Sequence, residues 1–171
     1  HAGPGFDEGR GRDGEQRPSG EFLTENGYTI AWGEEEFRAN MDKEHLIFCQ
    51  ENNRDRSANE YTIDYDESWT SLADMLRLGL EYLGDEKPFV IMCEGGEIDW
   101  CAHENSVYPM VQAIIRFDDA VKVAYEFYEK HPEETLIVVT ADHETGGLAI
   151  GYKFDREFSV EEWGKGVRGV V

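Results

Sequence analysis

The chain has 171 residues, 40% of them hydrophobic, enough for one domain with its own core. Its 37 acidic against 16 basic residues give a formal charge of -21, which repels a phosphate backbone or an anionic membrane surface and favours cations and basic partners. No run of the sequence approaches the roughly 18 to 20 continuous apolar residues that a membrane-spanning helix needs, and "HAGPGFDEGR" has none of the features of a signal peptide.

Residues 1–19 are glycine and charge with one large apolar residue, Phe6, too little to offset the entropy of ordering them, so a loop or tail is expected there. In "EFLTENGYTIAW" a short helix ended by Gly27 should lead into a strand from Tyr28 to Trp32. "EEEFRANM" then reads as two turns of helix, and "HLIFC", His45 to Cys49, as a second short strand. From Gln50 to Ser68 the composition is polar, without a core face, and predicts a surface excursion.

Ser71 followed by Asp74 forms a capping-box signature, and Leu72, Met75, Leu76, Leu80 and Leu83 keep a helical period up to Gly84. "PFVIMCEGG" and "TLIVVTADH" are unalternated apolar runs of the kind found in strands covered on both faces. Between them Met110, Ile114, Phe117, Val121, Ala124 and Tyr128 recur at steps of three and four, the stripe of a long helix facing a core. Strand, helix and strand in this order make a βαβ unit, so the expected fold is α/β, a mainly parallel sheet with flanking helices.

Sites in such sheets form beyond the carboxyl ends of the strands, and both apolar runs end in candidate ligands. "CEGGEIDWCAHEN" places Glu94 at the end of the first run, then Asp99 and, four residues on, His103; if the stretch is helical the last two share a face. The second run ends in Asp142 and His143, and Gly146 with Gly147 lets the chain turn away without crowding what binds there. Mixed imidazole and carboxylate donors suit zinc, and Glu94, a hard oxygen donor, suits magnesium as well. Each pair alone is commonly a solvated loop or a surface side-chain pair; two pairs on one crossover unit, with a third acid, point to a metal site. His45 is expected at a strand edge and His131 at a helix end, and the three cysteines, Cys49, Cys93 and Cys101, match no zinc or redox spacing.

"EGGEIDWCAH" and "TLIVVTADHETGG" resemble, with the same internal spacings, the two metal-binding motifs in the carboxyl-terminal part of alkaline phosphatases. "GYTIAW", "SLADML" and "FDDAVKVAYEF" resemble that family more weakly. The resemblance implies two zinc sites and one magnesium site, with Asp99 and His103 on the first zinc, Asp142 and His143 on the second and Glu94 on magnesium. It also implies hydrolysis of phosphate monoesters through a phosphoserine and a periplasmic, secreted or surface-anchored setting, while sheet edges left exposed by missing strands would invite self-association, a homodimer being one option. Residues 1–171 then correspond to part of the family's catalytic domain.

The chain departs from the family in several places. Glu97 adds a negative charge where a polar or basic residue is expected, and Trp100 fills a position at which the family varies. None of Ser19, Ser57, Ser68, Ser71, Ser106 and Ser159 lies in the family's Asp-Ser-Ala setting; Arg56-Ser57-Ala58 is the nearest imitation. His1 in place of a methionine, the likeness of "HAGPGF" to the middle of the catalytic domain, and "EEWGKGVRGVV" ending before a late histidine ligand all suggest an internal piece of a larger enzyme. Such a piece should have little or no activity by itself. Two other readings stand beside this one: a non-catalytic zinc-binding module, and a fragment of a related phosphodiesterase or sulfatase.

Overall fold

A computed structural model describes residues 18–51, 61–62, 69–84 and 86–147. The chain divides into two compact units, one holding residues 18–51 and 69–70, the other residues 61–62 and the chain from Ser71 onward. The likeness of "HAGPGF", most of the polar excursion including Ser57, and the segment after Gly147 lie outside the described residues.

In the first unit, α1 (Ser19–Glu25) is followed by β1 (Thr29–Trp32), α2 (Gly33–Ala39) and β2 (Leu46–Cys49). The helix before Gly27 and both strands are where the sequence predicts them. β1 and β2 pair in parallel, Thr29 opposite Leu46 and Trp32 opposite Cys49, with α2 as the crossover, so this unit is itself a small βαβ. Ala31, Phe37 and Cys49 are its buried residues, Phe37 meeting Phe48 edge to face at 5.7 Å. His45, just before β2, stacks on Tyr28 at 5.0 Å.

The second unit is built on α3 (Leu72–Leu83), α4 (Gly96–His103) and α5 (Val107–Lys130), with α3 and α4 both packed on α5. Ala73, Leu76, Ala120 and Val123 form its buried cluster, and Leu72, Leu80, Ile91, Cys93 and Ala124 close over it. Burying a side chain such as Leu76 contributes about 1.5–3 kcal/mol. The face that α5 turns inward is centred on Ala113, Ala120 and Val123 rather than on the larger residues of the predicted stripe, and Ile114 is 44% exposed. Small residues there let two helices approach the same long helix closely.

The largest difference from the sequence reading concerns the two apolar runs. Residues 88–95 and 135–141 carry no strand ladder, and β1 and β2 are the only paired strands among the described residues. Ile91 and Cys93 pack on the α3 and α5 core, whereas Val90 and Met92 on the opposite side are 93% and 91% exposed. In the second run Leu136 is 86% exposed. The first run, patterned for burial on both faces, thus has one face covered, neither run has an edge neighbour among the described residues, and without a neighbour the ladder hydrogen bonds do not form.

The capping box of α3 is present as predicted. The Ser71 hydroxyl accepts from the Asp74 N–H at 3.1 Å, and the Asp74 carboxylate accepts from the Ser71 N–H at 3.3 Å. Donation by the Ser71 hydroxyl holds the Asp74 carboxyl below its usual range, with the Ser71 N–H and Arg77 acting in the same direction and burial against them. Ser71→Ala should lower stability by about 1 kcal/mol in urea unfolding. Because the folded-state value is depressed, the Asp74 contribution is present above the unfolded value, about 3.9, and is lost as pH falls through the folded one. The variant should accordingly lose less stability on acidification than the parent chain.

Candidate metal centre

α4 starts where the first apolar run ends, and the turn between them is tight for a packing reason. A Cβ on Gly95 would stand 2.9 Å from Cδ2 of Phe117 on α5, so only glycine lets the run reverse into α4 against that helix. Asp99 and His103 then fall one turn apart on one face, with Asp99 Oδ1 3.5 Å from His103 Nε2. Cys101 and Ala102 point the other way, into the core. Burial, together with Glu97 and Glu104, pushes the Cys101 thiol up to about 11, so without a metal it stays protonated near neutral pH.

The loop after the second run carries the other pair. Asp142 Oδ2 stands 3.5 Å from His143 Nε2, and Asp142 Oδ1 accepts the His143 N–H at 3.1 Å. The His143 ring charges at a higher pH than a free imidazole. The Glu144 carbonyl on Nδ1 is the main cause and the Asp142 charge the next, while desolvation opposes them. The turn closes with the Gly147 N–H donating to Glu144 Oε1 at 2.7 Å.

What seats this loop on α4 is Gly146. Its φ is +78°, and a Cβ built there would run into the Ala102 carbonyl at the end of the helix. The glycine therefore serves a close approach between two backbones. Thr145, the most buried residue of the loop, donates its hydroxyl to Asp99 Oδ1 at 2.8 Å and lies 3.1 Å from His143 Nδ1. Two motifs 46 residues apart are thus joined through one hydroxyl. Sequence spacing does not pick Thr145 out; a hydroxyl two residues beyond the Asp-His dipeptide was the available signal.

Glu97 has a local task. Its carboxylate accepts from both the N–H and the hydroxyl of Thr62, and Tyr61 donates to Glu104 at 3.0 Å, so the Tyr61 and Thr62 segment is fastened along α4. The added charge that looked out of place in the sequence is used there. Glu94, at the mouth of the turn, is exposed and folds its carboxylate over Gly96.

The donor chemistry of the two pairs suits zinc. Ligand atoms about 2.0–2.1 Å from a tetrahedral ion stand about 3.3–3.4 Å apart, close to the 3.5 Å in both pairs. That spacing is also longer than a good N–H···O hydrogen bond, so neither pair is fully committed to itself. Each pair supplies two donors, and no three histidine, cysteine or acidic side chains converge on one point among the described residues.

A family model described as alkaline phosphatase matches residues 7–165. The chain is 37% identical over 100 residues to alkaline phosphatase 4 of Bacillus subtilis, a match that covers 58% of this chain and 22% of that protein. To alkaline phosphatase 3 of the same organism it is 39% identical over 90 residues, covering 52% and 19%. Among solved structures, the alkaline phosphatase from the Antarctic bacterium TAB5 superposes with a TM-score of 0.68 at 29% identity, over 92% of this chain and 44% of that one. The chain thus spans about a fifth of the length of the curated relatives, 22% and 19%.

Proposed function

Because this chain belongs to the alkaline phosphatase family, we propose that it is part of the catalytic domain of an enzyme that hydrolyses phosphate monoesters, and that it contributes metal ligands to that enzyme. Asp99 with His103 would hold one zinc, Asp142 with His143 a second, and Glu94 a magnesium ion. When bound, the two zinc ions would supply the positive charge that stabilises the attacking and leaving oxygens of an in-line phosphoryl transfer.

The observation that carries this reading is the junction at Thr145, whose hydroxyl links Asp99 of the first carboxylate and imidazole pair to His143 of the second. The chain's own residues bind and orient. α4 sets the spacing of Asp99 and His103, the seat of Gly146 on Ala102 sets the position of the loop, and Thr62 turns the Glu97 charge aside. Of the serines, Ser71 is engaged with Asp74 in the α3 cap, Ser19 opens α1, and Ser106 precedes α5. None of the chain's serines lies in the family's Asp-Ser-Ala setting, so the chain by itself should turn over little or no phosphate monoester.

Titration with zinc tests the proposal. Free zinc at a hundred times its Kd should stabilise the chain by about 2.7 kcal/mol for each site filled, read as a rise in thermal midpoint that a chelator reverses. A midpoint that does not move would count against the ligand assignment. Comparing mono- and diester hydrolysis by the complete enzyme separates a phosphatase from a related phosphodiesterase.

The exposed Val90, Met92 and Leu136 side chains also favour self-association of the chain, to be checked by sedimentation. No helix among the described residues is long and apolar enough to cross a membrane. Family membership supports a secreted, periplasmic or surface setting, testable by fractionation of the cells that make the protein.

A further inference from the structure

Two consecutive residues, Tyr61 and Thr62, reach both ends of α4. In its first turn Glu97 accepts from Thr62 with both carboxylate oxygens, Oε1 from the N–H and Oε2 from the hydroxyl. Where the helix stops, Glu104 Oε1 accepts from the Tyr61 hydroxyl at 3.0 Å. Glu97 and Glu104 are about two turns apart and share one face of α4, while Asp99 and His103 share another. The helix is of a kind that needs fastening. It has 8 residues, Gly95 caps it without a side-chain hydrogen bond, and the residues it buries are the small Cys101 and Ala102. So short a helix is not stable by itself in water, and fraying of either turn would part Asp99 from His103, which stand 3.5 Å apart only while the helix is wound between them. A basic side chain at position 97 could accept neither Thr62 donor, so the acid that departs from the family pattern is of the type this contact requires.

We infer that Thr62 and Tyr61 are positioning residues: by clamping the first turn and the end of α4 through Glu97 and Glu104, they keep Asp99 and His103 one turn apart, in the arrangement that can hold a metal ion. The clamp follows from the hydrogen bonds; its use toward zinc rests on the ligand assignment proposed above. Of the two, Thr62 carries the greater weight. Its two donors meet a partly buried carboxylate, whereas Tyr61 meets Glu104 in solvent, where a single hydrogen bond to a charge is worth less.

The test compares the 171-residue chain with its Thr62→Val, Thr62→Ser and Tyr61→Phe variants and with Ser71→Ala, which loosens the α3 cap and controls for mere loss of stability. Amide hydrogen exchange from Asp99 to His103 in the metal-free protein reads the clamp. Zinc affinity and the visible spectrum of bound cobalt(II), which follows coordination geometry, read its effect on the ligands. Thr62→Val should speed that exchange and weaken zinc binding, each by about tenfold, and change the cobalt spectrum. Thr62→Ser should restore all three, Tyr61→Phe should shift them less in the same direction, and Ser71→Ala should leave the cobalt spectrum as it is. A valine variant with parental exchange, or with parental zinc affinity and cobalt spectrum, overturns the inference, as does a Ser71→Ala variant that matches it. Should the valine variant fail to fold, Tyr61→Phe carries the test, and its equality with the parent overturns the inference. If zinc fails to bind the parent chain, the metal assignment falls; faster exchange in Thr62→Val then leaves the clamp standing, and unchanged exchange removes the clamp as well.

Discussion

Replacing Gly146 with alanine is expected to destabilise the second unit by about 2–5 kcal/mol, the sum of a left-handed backbone cost of about 1–2 kcal/mol and an overpacking cost of about 1–3 kcal/mol. The residue has φ of +78°, and the added methyl would meet the Ala102 carbonyl, a backbone group that cannot rotate away. Relief requires the loop to lift from α4, and lifting separates Thr145 from Asp99. The variant should therefore lose zinc affinity as well as stability, although no ligand has been touched. Gly147→Ala is the control: its φ of +64° carries the same backbone cost, but nothing lies within 4 Å of the new methyl. Urea unfolding and zinc titration of the two variants check this. Equal losses in both would show that the close approach to Ala102 has no energetic weight.

Much of the frame is legible in the sequence because local chemistry decides it. The capping box at Ser71, the stop at Gly27 and the two short strands are set by neighbours within a few residues, and they lie where pattern and turn residues put them. The α4 face that unites Asp99 and His103 follows from a four-residue spacing on a helix. The apolar runs at 88–95 and 135–141 fail as strand predictions for a reason their composition cannot state: a ladder is a property of two segments, and no edge partner stands beside either run among the described residues. The inward face of α5 was misplaced for a similar reason. Periodicity follows the large residues, whereas closeness of approach is set by Ala113 and Ala120.

At the candidate centre the residue types could be read and the couplings could not. Aspartate and histidine at strand ends are recognisable donors from their chemistry alone. That Glu97 answers to Thr62, that Gly146 meets Ala102 and that Thr145 meets Asp99 are contacts across 35 to 46 residues, and single-sequence spacing carries no information about them. Of these long-range contacts, the Thr145 hydroxyl is the one that links the two pairs.

The proposed division of ligands into two pairs makes a prediction that affinity alone cannot test. Asp99→Ala and His143→Ala should each weaken zinc binding by more than the about 10- to 100-fold that an outer hydrogen-bond partner contributes, because each removes one of only two protein donors in its pair. If Asp99 and His103 hold the same ion, the first substitution already loses it, and adding His103→Ala should cost little more. If Asp99 and His143 hold different ions, their losses should nearly add, with a remainder no larger than the coupling through Thr145. Measuring zinc-induced stabilisation of the single and double variants therefore gives a sign for each pairing. Strong non-additivity between Asp99 and His143, with additivity between Asp99 and His103, would reassign the ligands to ions shared across the two motifs. In that case Thr145 would lie within a single site, and its hydroxyl would set the geometry of one coordination shell rather than the register between two.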